Sequence, residues 1–204
     1  MFSVFLASAL AADPNTPHPH QGILTPIREK PALISLTPDE EAALTNGDVV
    51  QRQSQGDEGG SGVAVQYVFA PIDTVWDTIL DYDQYPDRVK NVVSCTVYRQ
   101  AGNDRYVDMQ NSVFGIKFGL YTVNHIYRDQ GYMSWELDYS RNSDIGDMIG
   151  YWRLDEIQTS PPITRLEYST EIRVKGVPDM LVRYMTRQSL VDGTAWVKRY
   201  SEDQ

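Results

Sequence analysis

The most constraining feature of this chain is the stretch Val63–Pro86, in which an alternating apolar run leads directly into helical periodicity. Apolar residues alternate over positions 63–69, and this period of two predicts a β-strand. Pro71 ends the strand, and its fixed φ and missing N–H suit the first turn of a helix. Apolar residues recur at helical spacing over positions 75–80, and positions 81–86 predict a second, short helical turn. The stretch therefore predicts a strand followed at once by two short helices, an uncommon opening for a domain.

Strand signals dominate the chain after this opening. Apolar segments separated only by turns or short loops predict antiparallel strands over residues 91–100, 105–113, 116–127, 132–139, 148–156 and 164–175. The last of these alternates most regularly, which predicts a half-exposed strand with Arg165 and Glu167 on its polar face. A long helix is predicted from Pro178 to Tyr200, because apolar residues recur there at three- and four-residue spacing. Ser189 and Gly193 form a small-residue notch in that apolar stripe. The predicted fold class is α+β, with about seven strands and a long C-terminal helix.

The opening stretch also carries a resemblance to a known superfamily. The residues that carry it are Ala70, Pro71, Val75, Trp76, Leu80, Asp81, Tyr85 and Pro86, followed by the late strand 146–154 and the C-terminal helix. Over roughly residues 61–201 the chain resembles the START-like (SRPBCC) superfamily, in particular its polyketide cyclase/dehydrase and coenzyme Q-binding groups. The resemblance implies a helix-grip fold, in which a curved antiparallel sheet surrounds the C-terminal helix and leaves a cavity between sheet and helix.

The chain before this region divides into two parts. Residues 1–12 are mostly apolar and end in a small-x-small pattern, which predicts a signal peptide. The usual basic residues in front are missing, so an apolar tail is the alternative. Residues 13–60 are predicted to be a Pro-rich linker containing a short helix at 38–45, and residues 55–61 a flexible loop. The short helix is predicted to begin with a capping box, in which Thr37 is the cap and Glu40 completes the box. A working signal peptide would place the protein in the periplasm or outside the cell; otherwise it is expected in the cytoplasm.

Composition limits the classes of partner. The net charge of −10 repels phosphate backbones and disfavours nucleic acid as a partner. It also disfavours a permanent dock on anionic membranes, although transient membrane contact stays open. No apolar run is long enough for a transmembrane helix. Cys95 is the only cysteine, so no intramolecular disulfide can form.

A hydrophobic ligand cavity is the predicted functional site. The residues expected to line it are aromatic, methionine and small side chains of the late strands and the C-terminal helix: Met148, Trp152, Tyr168, Met185, Ser189 and Trp196. All tyrosines and tryptophans of the chain fall within residues 61–204. The alternative is that these residues are ordinary core, because inward aromatic side chains are more often packed than in contact with a ligand.

Acid–base chemistry has one candidate. His125 is the only histidine inside the predicted domain, and histidine is the usual general base. Both faces of its strand are apolar enough to point inward, so the direction of His125 stays open, as does an exposed or hydrogen-bonded structural role. Glu136 and Asp138 share a face that is predicted to be solvated. His18 and His20 lack a third metal ligand nearby, so neither a metal nor a cofactor is predicted.

Three functions follow from these observations. The first is binding and transport of a hydrophobic small molecule: a lipid, quinone, isoprenoid or polyketide. The second is a polyketide cyclase or dehydratase that uses the same cavity, as in some members of the resembled superfamily. The third is a protein-binding module, because some members associate with ribosomes, although the negative charge opposes an RNA-rich partner. Ligand identity and oligomeric state stay open, since fold does not determine function.

Overall fold

The computed structural model describes residues 12–56, 59–113, 115–174 and 179–203. In the last helix, the side chains of residues 179–189 and of residue 191 lie outside this description. The predicted signal peptide over residues 1–12 therefore lies outside the described residues except for Ala12. The predicted helix start at Pro178 lies outside them as well.

One antiparallel sheet of eight strands forms the body of the described fold. The strands are β1 Val49–Gly56, β2 Gly59–Val68, β3 Val92–Ala101, β4 Asp104–Val113, β5 Ile116–Tyr127, β6 Tyr132–Leu137, β7 Asp147–Thr159 and β8 Pro162–Arg173. Their order in the sheet is β1-β2-β8-β7-β6-β5-β4-β3. Strands β3 to β8 therefore form a meander, and β8 closes the order by pairing with β2. The α+β helix-grip fold is confirmed, with eight strands where about seven were expected.

The additional strand comes from residues with little apolar character. Residues 55–61 were predicted to be a flexible loop, but β1 pairs with β2 as far as Gly56 opposite Gly59. The loop prediction was wrong for residues 55–56 and 59–61, which lie in β1 and β2, and residues 57–58 lie outside the described residues. The polar composition of this stretch reflects that the second half of β1 is exposed at the edge of the sheet. An edge strand is held by backbone hydrogen bonds on one side only, and polar side chains on it prevent further pairing.

In the described part of the chain, four α-helices accompany the sheet: α1 Pro38–Thr45, α2 Ile72–Leu80, α3 Tyr85–Arg88 and α4 Asp179–Glu202. The predicted capping box at the start of α1 is confirmed. The hydroxyl of Thr37 accepts from the Glu40 N–H at 3.3 Å, and the Glu40 carboxylate accepts from the Thr37 N–H at 2.8 Å. A single 3₁₀ turn, Tyr82–Gln84, links α2 to α3, so the predicted pair of short helices after the opening strand is confirmed.

The main core lies where α2 and α4 pack on the inner face of the sheet, which is the face turned toward α4. Its fully buried members include Trp76 and Ile79 of α2, Val197 of α4 and Leu166 of β8. Strand β2 lets α4 approach closely, because a Cβ on Gly62 would lie 2.3 Å from the nearest methyl carbon of Leu190. This contact sets the position of α4 against one edge of the sheet.

The outer face of the sheet is covered by a layer that we term the N-terminal segment, residues 12–34. Its backbone N–H groups at Ile23 and Leu24 donate to the Asp147 carboxylate at 2.5 and 2.7 Å. The carbonyl of Ile27 accepts from the Ser134 hydroxyl at 2.9 Å. Ile34 N–H donates to Glu167 at 3.1 Å. The segment is therefore anchored along β6, β7 and β8 by polar contacts with residues far along the chain.

The N-terminal segment explains why one sequence expectation about β8 was wrong. The polar face of that strand was predicted to be half-exposed, but Glu167 is fully buried and Arg165 is nearly so. The two side chains form an ion pair at 2.6 Å, and Arg165 also donates to the carbonyl of Ile34. Polar alternation marked the outer face of the strand correctly, but the covering layer removes that face from solvent.

Candidate functional site

A cavity of about 240 Å³ lies between the inner face of the sheet, the α2–α3 region and α4. Strands β3 to β8 all contribute to its wall, and β4, β5, β6 and β8 do so with every second residue, as the alternation of a strand requires. Its wall is mostly aliphatic and aromatic, and its described members include Tyr82, Tyr85, Val92, Cys95, Val107, Met109, Phe118, Leu120, Thr122, Asn124, Met133, Trp135, Met148, Trp152, Tyr168, Ile172, Gly193 and Trp196. The cavity is smaller than the roughly 300–1,000 Å³ of typical drug-sized pockets, so it suits a compact apolar molecule.

Two groups of aromatic rings form much of the wall. In the first, the ring of Trp152 lies 4.6 Å from that of Tyr168, and Trp135 stacks on Tyr168 at 5.7 Å between ring centroids. In the second, the rings of Tyr85 and Trp196 lie edge to face at 5.0 Å. Such contacts hold large apolar side chains in defined positions. The cavity is therefore lined by ordered rings.

The structure places four of the six predicted lining residues in the wall: Met148, Trp152, Tyr168 and Trp196. The side chains of Met185 and Ser189 lie outside the described residues. The notch at Gly193 is occupied by a ring, since a Cβ there would lie 3.3 Å from Cε1 of Tyr168. Whether the four residues contact a ligand stays a prediction.

Several wall residues were not among those predicted. Thr122 and Asn124 lie on the inner face of β5 together with Phe118 and Leu120. Their alternation in the sequence showed that these residues share one face of β5. Both faces of β5 are rich in apolar residues, so the sequence did not show which face points inward. Pairing with β6, which sets Asn124 opposite Trp135, resolves which face is inside.

Burial keeps several phenol and thiol groups of the described wall neutral near neutral pH. Burial raises the pKa of Tyr168 and of the Cys95 thiol to about 12 each, and it raises the pKa of Tyr85 well above its usual value. Lys90 and Asp192 pair at 3.3 Å between nitrogen and oxygen. These groups suit the walls of a binding cavity better than they suit proton transfer.

His125 lies on the outer face of the sheet, outside the cavity wall. Its Nδ1 contacts the Asp104 carboxylate at 2.8 Å, and its Nε2 lies 3.4 Å from Glu136. Arg28 of the N-terminal segment donates to the same Glu136 oxygen at 2.7 Å. The imidazole of His125 therefore points away from the cavity and from any molecule bound there.

The solvated state predicted for Glu136 and Asp138 was wrong, because each residue is only 8% exposed. Glu136 is covered by Arg28 and His125, and Asp138 accepts from Tyr98 and from Ser140 at 2.6 Å each. Burial alone would raise the pKa of Glu136, but hydrogen bonds from His125 and Arg28 outweigh it and lower that pKa. Both acids therefore stay charged within a partly buried polar layer.

Replacing His125 by Gln is expected to lower stability more at pH 5.5 than at pH 8.5. The hydrogen bond to Glu136 raises the pKa of His125 against the opposing effect of burial, and Asp104 adds to the rise. A raised folded pKa contributes stability that is full below the unfolded pKa of about 6.5 and is lost as pH rises through the folded value. We expect a difference of about 1 kcal/mol between the two pH values in urea denaturation.

The matched control is His20→Gln, since the ring of His20 contacts His18 and Tyr139 and no carboxylate. Equal loss at both pH values in His125→Gln would contradict a charged His125. Ligand affinity is expected to stay unchanged in this variant, because His125 lies outside the cavity wall.

Within the described residues, no group of three or more His, Cys, Asp or Glu side chains is arranged to hold a metal ion. His18 is engaged otherwise, since its Nε2 lies 2.9 Å from the carbonyl oxygen of Gly146. In the part of the chain that the structure covers, no helix combines the length and apolar content needed to cross a bilayer.

The sequence profile of the family described as "Polyketide cyclase / dehydrase and lipid transport" matches residues 68–190, more than half of the chain. The chain belongs to this family. The match covers strands β3 to β8, α2, α3 and part of α4, which contribute most of the cavity wall. A comparison with curated proteins finds no match.

Solved structures of the same fold agree with the family. The Zhui aromatase/cyclase from a Streptomyces species has a TM-score of 0.60 at 17% identity, over 75% of this chain and 94% of that one. A STAR-related lipid transfer protein from Xanthomonas axonopodis has a TM-score of 0.59 at 11% identity, over 75% of this chain and 92% of that one. A START superfamily protein from Mycobacterium smegmatis has a TM-score of 0.57 at 15% identity, over 76% of this chain and 97% of that one. At these identities the similarity establishes the shared START-like fold.

Proposed function

We propose that this family member binds and carries a compact hydrophobic molecule in the cavity between the sheet and α4. The observation that carries the proposal is the apolar cavity of about 240 Å³ with walls of ordered aromatic and aliphatic side chains. Burial of apolar ligand surface supplies the driving force, at roughly 25 cal/mol per Å² before the costs of association. The ligand classes that fit are a small lipid, quinone, isoprenoid or polyketide.

The charges and pKa values of the wall favour a carrier over a cyclase or dehydratase. Acid–base catalysis works best with a group whose pKa lies near the operating pH. Burial raises the pKa values of Cys95, Tyr85 and Tyr168 away from neutrality. The candidate base His125 points to the opposite side of the sheet.

Native mass spectrometry of the protein purified from its own host tests the proposal. We expect an added mass that corresponds to one apolar molecule, which extraction and fragmentation then identify. Leu120→Trp is expected to remove that mass, because the indole would fill the cavity that Leu120 lines. Overpacking is expected to destabilise this variant by about 1–3 kcal/mol, so its folding is checked by circular dichroism.

The matched control is Ile157→Trp, which adds the same side chain at an exposed position of β7. This control should keep the added mass. The proposal would be overturned if the wild-type protein carried no bound molecule and also took up no neutral ring compound. Conversion of a polyketide-like compound by the wild type, lost in Leu120→Trp, would instead establish the cyclase or dehydratase.

A further inference from the structure

The inner face of β5 carries a polar pair inside an otherwise apolar part of the cavity wall. Thr122 and Asn124 are 4% and 7% exposed, and both line the cavity. They lie two residues apart on one face of the strand. In the neighbouring strands, Thr122 lies opposite Val107 and Leu137, and Asn124 lies opposite Arg105 and Trp135. Polar side chains at such positions are costly unless a hydrogen-bond partner reaches them.

The hydrogen bonds within this pair leave one donor and one acceptor free. Nδ2 of Asn124 donates to Oγ1 of Thr122 at 3.1 Å and to the carbonyl of Arg105 at 3.4 Å. Both amide hydrogens are thereby used, and the threonine hydroxyl hydrogen must point elsewhere. Among the residues that the structure describes, none accepts from the Thr122 hydroxyl or donates to Oδ1 of Asn124.

A hydroxyl group is the complement of this arrangement. An alcohol, phenol or enol can donate its hydrogen to Oδ1 of Asn124 and accept the hydrogen of Thr122 on its oxygen. A ketone oxygen satisfies Thr122 alone, and it leaves the Asn124 oxygen facing another acceptor. A plain hydrocarbon satisfies neither group.

The charges of the wall indicate that the ligand is neutral. The side chains that carry charge in the described wall are Lys90 and Asp192, which pair with each other at 3.3 Å. Arg105 lies opposite Asn124 in β4, but its guanidinium donates to the carbonyls of Gly102 and Asp104 and does not line the cavity. A carboxylate or phosphate near Thr122 and Asn124 would therefore lose its water without gaining a counter-charge from the wall, and burial of an unpaired charge is strongly unfavourable. A fatty acid or a phospholipid headgroup is therefore a poor occupant of this part of the cavity.

We infer that the cavity recognises a neutral, hydroxyl-bearing apolar molecule, with Thr122 and Asn124 as its specificity-determining residues. This inference rests on the proposed binding function and narrows its ligand class. The aromatic rings of the wall hold the apolar body, and the β5 pair orients the hydroxyl group. Neither residue is assigned a catalytic role.

Equilibrium dialysis with four compounds of one ring skeleton tests the inference. The compounds are fluorene, 9-fluorenol, 9-fluorenone and fluorene-9-carboxylate. We expect wild-type protein to bind 9-fluorenol roughly tenfold more tightly than fluorene, because two buried hydrogen bonds are gained. 9-Fluorenone is expected between the two, and the carboxylate is expected to bind more weakly than fluorene.

Thr122→Val and Asn124→Leu preserve side-chain shape and should reduce the tenfold preference to about threefold or less. Affinity for fluorene itself should stay within about threefold of wild type, which shows that the cavity is intact. Met109→Leu is the control, because Met109 lines the cavity without a hydrogen-bonding group, and it should keep the full preference. If one polar variant fails to fold, the other decides.

The outcomes separate the inference from the function on which it rests. Equal wild-type affinity for fluorene and 9-fluorenol would overturn the inference and leave the carrier proposal standing, with the polar pair occupied by water. Tighter binding of 9-fluorenone or of the carboxylate would overturn it as well. Failure of all four compounds to bind would count against the carrier proposal itself for compact ring ligands.

Discussion

Asp147→Asn is expected to destabilise the protein by about 3 kcal/mol, because two hydrogen bonds to a buried charged acceptor are lost. Asp147 is fully buried. One of its oxygens accepts from the backbone N–H groups of Ile23 and Leu24, and the other accepts from Tyr139 and from the N–H of Met148 at 2.8 Å each. In asparagine one oxygen becomes an NH₂ group, so either orientation of the amide places donors against donors.

The pH dependence of this effect follows from the pKa of Asp147. Burial would raise that pKa, but the N–H groups of Leu24 and Ile23 lower it below its usual value. A lowered folded pKa contributes stability that is present above the unfolded pKa of about 3.9 and is lost as pH falls through the folded value. The difference between wild type and variant should therefore be largest near neutral pH and shrink below about pH 4.

Urea denaturation monitored by circular dichroism measures the effect. The control is Asp129→Asn, because Asp129 is exposed, and its change should stay within about 0.5 kcal/mol. A loss of less than about 1 kcal/mol in Asp147→Asn would show that the contacts of the N-terminal segment add little to stability.

Gly150→Ala is expected to destabilise the fold by about 3 kcal/mol and to weaken ligand binding as well. A Cβ at position 150 would lie 2.2 Å from Cζ2 of Trp135 and 2.4 Å from the backbone oxygen of Ser169. The backbone oxygen is held in the sheet and cannot move away, so Trp135 must shift. Because Trp135 lines the cavity, its displacement changes the shape of the wall.

Thermal unfolding and 9-fluorenol dialysis measure the two effects of Gly150→Ala. Gly56→Ala is the matched control, because nothing lies within 4 Å of a Cβ at position 56 of β1. Its stability should change by less than about 1 kcal/mol. If Gly150→Ala behaves like Gly56→Ala, the close packing of Trp135 on β7 does not constrain the cavity.

The parts of this fold that the sequence predicted are those governed by local rules. Alternation gave β5 its bounds, Ile116–Tyr127, without error. Pro71 and the capping box at Thr37 marked helix starts, since proline geometry and end-capping hydrogen bonds act within a few residues. Trp152 and Trp196 could be assigned to the inner wall because their elements have a single face that is strongly apolar.

The remaining features depend on distant partners and could not be predicted from local patterns. The N-terminal segment binds through its backbone, and Ile23 meets Asp147 across 124 positions of sequence. Backbone groups are the same in every residue, so composition does not reveal this contact. The direction of the His125 side chain could be assigned only from the pairing of β5 with β6, because both faces of β5 are rich in apolar residues. The polar pair Thr122 and Asn124 remained hidden for the same reason.

The N-terminal segment has a consequence for the order of events during synthesis. It is the first described part of the chain to leave the ribosome, yet Ile27 meets Ser134 across 107 residues and Ile34 meets Glu167 across 133. The polypeptide must therefore extend through β6 before the first contact can form and through β8 before the second, and long-range pairing of this kind is slow. The N-terminal segment is thus made before the sheet strands that it contacts, and a nascent chain cannot dock all of it until β8 emerges.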